Sequence, residues 1–272
     1  MDRVDSPAST PTVSIVVISW KMRDLAFRML DTLHRFVTGV DFEVVFVDNG
    51  SEDGTLEMVE SKFPSVHLIR NVQNRGVAPA RNQAIRETKG KYVCILDADL
   101  EFVEDALTPL VRLLEQHPEA GAAGARLVFP NGTTQYNAKR FPSFLALLAR
   151  RLPFLGHLGG GSALRRHEMH DWDRQDTREV DYLIGACQLI RREVFDKIGL
   201  LDEAIFYGPE DIDFCLRTRR AGYTIWWRHD VRIIHHEQRI TKKSPLSFIS
   251  IKHYKGLFHF FRKHGLRYYK SL

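Results

Sequence analysis

The first 130 residues alternate between continuous apolar runs and segments whose apolar residues have helical spacing. Four β-branched runs predict buried strands, at Val13–Ile18, Phe42–Val47, Val66–Ile69 and Tyr92–Leu96. Helices are predicted over residues 23–36, 77–88 and 104–116, with a short one opened by residues 53–55, and a further strand over 122–129. This alternation predicts an α/β fold with a mostly parallel central sheet flanked by helices.

The pattern changes after residue 130. Asn131 and Gly132 predict a hairpin turn. The polar stretch 156–178 has two interpretations, a mobile loop over a binding site or an ordinary surface insertion. Ordered structure is predicted to resume with the apolar run over residues 182–190. A helix is predicted over 212–221, and strands over 224–227 and 231–234.

The composition is typical of a globular protein with one large domain and an appendage. The chain has 272 residues, of which 44% are hydrophobic and 27% charged. Its three cysteines lie far apart in apolar stretches, so we predict buried, reduced thiols in a cytoplasmic protein. Residues 1–11 are polar and predicted to be disordered. No apolar run reaches the roughly 18 residues that would predict a membrane-spanning helix.

Positive charge is concentrated at the end of the chain. The net charge is +5, but residues 238–272 contain nine Lys or Arg and no Asp or Glu, which leaves −4 (5 minus 9) for the other 237 residues. A basic tail on a mildly acidic body predicts an anionic surface as a partner.

Carboxylates follow two of the predicted strands. Asp97 and Asp99 end the fourth strand, and Asp48 ends the second. The carboxyl ends of parallel strands share one edge of a sheet, where ligands bind. Buried carboxylates need a cationic partner, and oxygen ligands suit Mg²⁺ or Mn²⁺ carrying a diphosphate. The alternative is that Asp97 and Asp99 serve only as turn and cap residues.

A second acidic group opens the helix that follows a Gly-Pro loop. It contains Glu210, Asp211 and Asp213. The helix dipole favours acids at this position, and this structural role accounts for at least one of them. A carboxylate that faced the edge of the sheet could instead take a proton from an attacking hydroxyl. Asp213 precedes Arg217 by four residues, which predicts an ion pair between them.

Two histidines, His235 and His236, end the last predicted strand. Adjacent side chains of a strand point to opposite faces, so only one of them can reach the edge that holds the aspartates. That histidine would be a third metal ligand. A purely structural role at the end of the strand is the alternative.

The segment before and at the start of the third helix contains Asn74, Gly76 and Arg81. A glycine loop that leads into a helix N-terminus suits a nucleotide or phosphate. Many loops share this composition, so the segment predicts such a site only in combination with the acidic edge.

Together these segments resemble the family 2 glycosyltransferases of the GT-A fold, particularly the bacterial rhamnosyltransferase-like branch. The matching pieces occur in the family's order, at Val13–Val17, Val47–Thr55, Asn74–Asn82, Leu96–Asp99, Gly185–Ala186, Ile198–Phe206, Glu210–Arg217, Ala221–Tyr223 and His235. The resemblance implies a GT-A domain over about residues 12–240, with a nucleotide-binding part (12–130) and an acceptor-binding part (131–240). Residues 241–272 would form a basic, amphipathic helical tail.

The resemblance also implies roles for single residues. Asp97 would lie near the ribose and the metal, Asp99 would bind the metal, and His235 would complete the metal shell. Asp211, or alternatively Glu210, would be the general base. Asp48 would hold the nucleotide base, and the remaining residues assigned to the nucleotide are Ser19, Asn74, Gly76 and Arg81.

The implied function is transfer of one sugar, with inversion, from a nucleotide-diphosphate sugar such as dTDP-rhamnose or a UDP-hexose. The acceptor would be a hydroxyl of a glycan or of a lipid-linked sugar in cell-surface glycan synthesis. A sugar-phosphate nucleotidyltransferase is an alternative, although the segment after the first strand, residues 19–23, lacks the expected glycine. A catalytically inactive nucleotide-sugar-binding module is a second alternative.

A helix is predicted over residues 246–264 of the tail. Its apolar stripe would contain Ile251, Tyr254, Phe258 and Phe261, accompanied by several cations. Such a helix suits an anionic bilayer, which predicts a cytoplasmic protein able to bind the inner face of the membrane. In the alternative interpretation, the stripe packs on the catalytic domain. Nucleic acid is not expected as a partner, because no base-reading fold accompanies the basic tail.

Overall fold

The computed structural model describes residues 10–151, 160–238 and 247–266. The strands in this part of the chain are β1 (Val13–Ser19), β2 (Phe42–Asp48), β3 (His67–Arg70), β4 (Tyr92–Asp97), β5 (Leu100–Phe102), β6 (Ala120–Val128), β7 (Ala138–Lys139), β8 (Arg178–Glu179), β9 (Tyr182–Leu183), β10 (Cys187–Arg191) and β11 (Thr224–His235). The helices are α1 (Arg23–Phe36), α2 (Thr55–Lys62), α3 (Val77–Glu87), α4 (Leu107–Gln116), α5 (Phe144–Arg151), α6 (Gly160–His167), α7 (Arg192–Ile198), α8 (Glu210–Arg220) and α9 (Phe248–His264).

One large sheet organises the domain, in the strand order β3-β2-β1-β4-β10-β6-β11-β5, with β8 beside β11. Strands β1 to β4 pair in parallel, as do β6 and β11, whereas β10 runs antiparallel to both of its neighbours. The predicted α/β architecture with a mostly parallel sheet is therefore confirmed. A separate two-stranded sheet pairs β7 with β9.

Alternation along the central strands divides the core into two layers. Val13, Ile15 and Val17 of β1 face one layer, which also contains α1 and α4, and Val16 faces the other layer, which contains α3 and α8. Helix α1 has the predicted bounds because its apolar residues recur at helical spacing over 23–36. The three cysteines are buried and free, as predicted.

Two segments of the sheet have a form that the sequence pattern did not predict. The apolar run over 182–190 is broken between β9 and β10, and Gly185 lies in the break. A Cβ on Gly185 would lie 2.7 Å from a guanidinium nitrogen of Arg81, so this backbone packs directly on the arginine. In contrast, the two strands predicted over 224–227 and 231–234 form one strand, β11, whose register shifts between Arg228 and Arg232.

The polar stretch predicted as a loop or insertion is ordered in its described part. Residues 160–178 include helix α6 and a turn stabilised by Arg174, whose guanidinium donates to the carbonyl of Glu168 at 2.6 Å. Residues 156–159 lie outside the described part of the chain, as do residues 1–9 of the predicted disordered tail. Among the described residues, no helix combines the length and hydropathy needed to cross a bilayer.

Helix α9 packs on the catalytic domain, but not through the predicted stripe. Ile249, Gly256 and Phe260 are buried, whereas Ile251, Tyr254 and Phe258 of the predicted stripe are 47%, 41% and 73% exposed. The remaining stripe residue is Phe261, which is half-buried. The interpretation that the stripe as a whole packs on the domain is therefore wrong.

Ion pairs fix the end of α9 to the domain. The buried Asp213 carboxylate accepts from Arg217 at 2.8 Å, as predicted, and also from Lys263 at 2.8 Å and His264 at 2.7 Å. Burial alone would raise the pKa of Asp213, but the hydrogen bonds from His264 and Lys263 and the charge of Arg217 outweigh it and lower the pKa. Lys263 also contacts Asp202, at 2.7 Å.

Candidate active site

The sheet register brings several predicted residues to one edge. Ser19 at the end of β1 is paired with Asp48 at the end of β2, and Ile18 is paired with Asp97 at the end of β4. Because β1, β2 and β4 are parallel, their carboxyl ends meet at the same edge, where α/β sheets bind ligands.

Asp48 has one carboxylate oxygen without a partner. Its Oδ2 accepts from the Ser51 N–H at 3.0 Å, whereas Oδ1 is buried and makes no hydrogen bond, and the nearby Ser19 Oγ is in the same state. Burial raises the pKa of Asp48, although the hydrogen bonds from Ser51 oppose it. Buried polar atoms of this kind are normally satisfied, so a polar ligand is expected beside Asp48 and Ser19.

Three side chains on this edge could hold a divalent ion. Asp97, Asp99 and His235 offer ligand atoms that all lie within 4.8 Å of one another. Two carboxylates and an imidazole provide the oxygen and nitrogen donors that Mn²⁺ accepts, and Mg²⁺ favours the carboxylates. The donor set therefore fits a divalent cation.

His235, and not His236, belongs to this group. Its Nδ1 contacts the Gln135 Oε1 at 2.8 Å, and its Nε2 lies 3.3 Å from an Asp99 oxygen. A donated Nδ1–H leaves the Nε2 lone pair available to a metal ion. The neighbouring His236 points away, to Glu101 at 2.7 Å.

The acidic pair Glu210 and Asp211 lies at the start of α8, across from the metal-ligand group. One Asp211 oxygen accepts from the Gly185 N–H at 3.1 Å, and the other accepts from the Ile212 N–H at 2.8 Å. The Gly185 N–H is available because the sheet is interrupted between β9 and β10. The interruption of the sheet therefore leaves a backbone N–H group that holds the Asp211 carboxylate in place.

Both acids have raised pKa values. Burial, together with the Asp211 carboxylate, raises the pKa of Glu210 to about 7, although Arg81 opposes this. Burial also raises the pKa of Asp211, against hydrogen bonds from the backbone and the charges of Arg81 and Lys139. Two neighbouring carboxyls with raised pKa values are suited to acid–base chemistry.

Arg81 connects the metal-ligand group to the acidic pair. Its guanidinium is 3% exposed and donates to Asp97 at 2.6 Å and to Glu210 at 3.2 Å. It also donates to the Gly185 carbonyl at 2.7 Å. The sequence placed Arg81 at the nucleotide, whereas the structure engages its two terminal nitrogens with protein atoms. Arg81 therefore positions two sets of acids relative to each other, and its contact with a nucleotide stays a prediction.

Asn74 and Gly76 also have protein partners. The Asn74 side-chain oxygen accepts from the Gly76 N–H at 2.9 Å and from Asn49 at 3.1 Å. Gly76 has a φ of +94°, and a Cβ there would lie 2.7 Å from the Phe206 ring. These contacts join the loop to the segment that precedes the acidic pair, and the nucleotide or phosphate contact of Asn74 and Gly76 stays a prediction.

Helix α9 supports that same segment from the other side. A Cβ on Gly256 would lie 2.7 Å from the Gly208 carbonyl oxygen and 3.5 Å from Pro209. His253 Nδ1 lies 3.3 Å from the Tyr207 carbonyl oxygen. The tail helix thus packs directly on the loop that leads into Glu210 and Asp211.

Sequence reasoning missed three contributors to the site. Gln135 orients His235, the Gly185 N–H binds Asp211, and the buried Lys139 places a positive charge near Asp211. No local pattern distinguishes Gln135 or Lys139 from other polar residues of the hairpin region. The Gly185-Ala186 pair inside an apolar run was the only visible signal, because glycine within a strand often marks close backbone packing.

Comparison with known proteins identifies the family of this chain. The sequence profile of glycosyl transferase family 2 matches residues 14–199, more than half of the chain. The chain belongs to this family. This family 2 glycosyltransferase is 26% identical over 257 residues to the N-acetylglucosaminyl-diphospho-decaprenol L-rhamnosyltransferase of Mycobacterium tuberculosis, covering 90% of this chain and 82% of that protein.

Solved structures share its fold. The mannosyltransferase PcManGT from Pyrobaculum calidifontis, solved with GDP-Man and Mn²⁺, superposes with a TM-score of 0.59 at 19% identity, over 98% of this chain and 75% of that one. GalNAc-T7, solved with UDP, GalNAc and Mn²⁺, gives a TM-score of 0.63 at 17% identity, over 84% of this chain and 44% of that one. The fold is therefore that of the GT-A glycosyltransferases, as the sequence predicted.

Proposed function

We propose that this glycosyltransferase is a metal-dependent, inverting enzyme that transfers one sugar from a nucleotide-diphosphate sugar to a hydroxyl of a lipid-linked or glycan acceptor. The observation that carries the proposal is the convergence of Asp97, Asp99 and His235 within 4.8 Å, at the sheet edge that also holds Asp48. Arg81 connects this group to an acidic pair suited to proton transfer.

The donor would lie along the carboxyl edge of β1, β2 and β4. The unpartnered oxygens of Asp48 and Ser19 are available to the N–H groups of a nucleotide base. Asp99 and His235 would hold the divalent ion, with Asp97 between ion and ribose. When bound, Mg²⁺ or Mn²⁺ stabilises the charge that develops on a leaving diphosphate.

Asp211 is the better candidate for the general base. It is more accessible than Glu210, which is 6% exposed and paired with Arg81. Two backbone N–H groups hold the Asp211 carboxylate in place. Asp211 would take the proton of the acceptor hydroxyl as that oxygen attacks C1 of the sugar from the face opposite the diphosphate. This single displacement inverts the configuration at C1 and needs no covalent enzyme intermediate.

The relatives guide the choice of donor and acceptor. The mycobacterial relative is a rhamnosyltransferase named for a diphosphate-linked lipid acceptor. PcManGT and GalNAc-T7 were solved with other nucleotides. We therefore propose dTDP-rhamnose as the first donor to test and UDP-hexoses as the second, with the enzyme acting in the cytoplasm at the inner face of the membrane.

A donor screen with and without Mn²⁺ tests the proposal. Thermal unfolding of the full chain is recorded with dTDP-rhamnose, UDP-glucose, UDP-N-acetylglucosamine and GDP-mannose, and hydrolysis of each donor is measured in parallel. One donor should raise the melting temperature only when Mn²⁺ is present, because binding to the native state alone stabilises it. Binding without turnover on any acceptor would favour the inactive binding module instead. If no donor binds, the proposed function is wrong.

The exposed face of α9 supports a membrane partner. Phe248 and Phe258 are 61% and 73% exposed, and Lys252 and Lys255 lie on the same helix. Apolar and cationic residues together suit an anionic bilayer surface. Deleting the tail would also remove the buried Phe260, so a point substitution gives a clearer test.

Phe258→Ser should weaken binding to phosphatidylglycerol vesicles by about tenfold, the effect of one buried aromatic side chain. Phe27→Ser, at an exposed phenylalanine of α1, is the matched control and should leave vesicle binding unchanged. Equal losses in both variants, or equal binding to phosphatidylcholine, would contradict an anionic membrane partner.

A further inference from the structure

A cationic cavity lies outside the residues assigned above. It has a volume of about 550 Å³ and is lined by Arg140, Ser162, Arg165, Arg166, His170 and Asp171. The lining brings together the residue after β7, helix α6 and the turn that follows α6. The volume falls in the range of roughly 300–1,000 Å³ that small-molecule sites occupy.

The charge of the lining is unbalanced. Asp171 is the one carboxylate that lines the cavity, and Arg140 engages it at 3.1 and 3.0 Å. Arg165 and Arg166 are exposed and form no ion pair with any residue in the described ranges. Three guanidinium groups and one carboxylate leave a net charge of +2 (3 minus 1), before any contribution from His170. Arginine forks of this kind bind phosphates bidentately.

A second cavity of similar size does not have this excess of positive charge. It has a similar volume of about 500 Å³, but its charged lining residues are Arg112, Asp41 and Glu115, for a net charge of −1 (1 minus 2). Cavity size alone therefore does not account for the clustered arginines.

The wall of the cationic cavity is held in place by buried groups. Arg174 is 3% exposed and donates to the carbonyls of Glu168 at 2.6 Å and Met169 at 3.2 Å, which fixes the turn that carries His170 and Asp171. The Arg140 N–H donates to the His167 carbonyl at 3.0 Å, which joins β7 to the end of α6. A fixed wall reduces the conformational cost of binding a ligand.

The chain connects the cavity to a charge that acts on the acidic pair. Arg140 of the cavity wall directly follows Lys139, the last residue of β7, and the charge of Lys139 lowers the pKa of Asp211.

Apolar side chains lie on the helix that neighbours α6. Helix α5 begins at Phe144, four residues after Arg140, and packs against α6. Phe144 and Leu145 are 45% and 40% exposed, and the Phe144 ring contacts the Phe261 ring of α9 with centroids 5.4 Å apart. The helix that lines the cavity, α6, therefore packs against a helix with exposed apolar side chains.

We propose that this cavity binds the diphosphate of a polyprenyl-diphosphate-linked acceptor, with the sugar directed to Asp211 and the lipid chain along α5 and α9. The ligand assignment rests on the proposed function. The arginines would hold the phosphate oxygens in a site separate from the donor's diphosphate, without a divalent ion.

Metal-free calorimetry on the full chain tests the inference. With EDTA present, farnesyl diphosphate and inorganic pyrophosphate should both bind to the native protein, and farnesol should not. Arg165→Gln and Arg166→Gln should each weaken farnesyl diphosphate binding by about tenfold. Arg166→Lys should recover only part of the affinity, because lysine keeps the charge but not the fork. Arg112→Gln, in the second cavity, is the matched control and should bind like the unmodified chain.

Several outcomes would overturn the inference. Equal losses in Arg112→Gln would indicate attraction by overall charge, and binding of pyrophosphate without farnesyl diphosphate would indicate a site for a free diphosphate. If Arg165→Gln and Arg166→Gln lost binding to phosphatidylglycerol vesicles but still bound farnesyl diphosphate normally, the two arginines would be membrane contacts. Both exposed arginines lack ion pairs, so unchanged melting temperatures should show that the variants fold.

The same preparations separate this inference from the proposed function. If a nucleotide sugar binds with Mn²⁺ but farnesyl diphosphate does not bind without it, the cavity assignment fails and the glycosyltransferase proposal stands. If farnesyl diphosphate binds and no nucleotide sugar does, the proposed function fails.

Discussion

The metal-ligand group and the acidic pair are positioned by different means. Asp97 and Asp99 follow a central parallel strand, and His235 ends another strand of the same sheet. Glu210 and Asp211 begin a helix after an irregular loop that packs against Gly76 on one side and the tail helix on the other. Sheet register thus fixes the first set, and long-range packing of loops fixes the second.

This difference predicts how substitutions near each set of residues would affect the enzyme. Hydrogen bonds between β1 and β4 fix the backbone that carries Asp97, at the end of a buried strand. The acidic pair depends on Gly185 in a strand break, on Arg81 and on contacts with α9. We therefore expect substitutions near the metal-ligand group to affect donor binding, and substitutions around the acidic pair to affect turnover while donor binding persists.

The largest effect is expected for Asp99→Ala. Removing this carboxylate leaves His235 and Asp97 as the proposed ligands, so transfer should fall below detection and Mn²⁺-dependent donor binding should weaken. His236→Asn is the matched control, because the adjacent imidazole faces Glu101 on the opposite side of the strand. Isothermal titration with the donor, with and without Mn²⁺, measures both variants. Unchanged metal-dependent affinity in Asp99→Ala would contradict its role as a ligand.

Asp211→Asn should reduce turnover by about 100-fold or more while the donor still binds. The amide preserves the shape of the side chain and can still accept the Gly185 N–H, but it cannot take a proton from the acceptor. Steady-state transfer rates and donor titrations report the two quantities separately. Asp196→Asn, at an exposed aspartate of α7, controls for general effects of charge. Turnover near that of the unmodified enzyme would exclude Asp211 as the base.

The same contrast explains what the sequence could predict. The ends of β1, β2 and β4 were visible because apolar, β-branched runs stop at polar residues, and parallel pairing then places Ser19, Asp48 and Asp97 together. The partners of Arg81 were not visible, since Glu210 lies 129 positions away and Gly185 lies 104 positions away. Local patterns carry no information about which distant loop meets an arginine.

The tail helix shows a similar limit. Aromatic residues occur on more than one of its faces, so the sequence predicts an amphipathic helix but does not determine which face is buried. Buried Gly256 and Phe260 make up part of the packed face because the loop before the acidic pair approaches too closely for a larger side chain at position 256. Neither the close approach nor the Asp213 contacts of Lys263 and His264 has a local signature.

Gly256→Ala tests whether the tail helix supports the acidic pair. Alanine should favour the helix by up to about 1 kcal/mol, so any loss must come from the new Cβ, which would lie 2.7 Å from the Gly208 carbonyl oxygen. We expect turnover to fall by about tenfold, with donor affinity retained. Lys255→Ala, at an exposed position of the same helix, is the control for helix propensity. If Gly256→Ala lost donor affinity as well as turnover, both the metal-ligand group and the acidic pair would depend on the tail helix.

The smallest effect is expected for Glu210→Gln, which should shift the pH dependence of kcat/KM. In the unmodified enzyme the acidic pair loses protons as the pH rises through about 7, the pKa to which burial and Asp211 raise Glu210, so kcat/KM should rise over that interval. Glutamine removes the neighbouring negative charge, which lowers the pKa of Asp211 and moves the acidic limb of the profile to lower pH. Glu57→Gln, at an exposed position of α2, should leave the profile unchanged. An inactive Glu210→Gln enzyme with intact donor binding would contradict the assignment of Asp211 alone as the base.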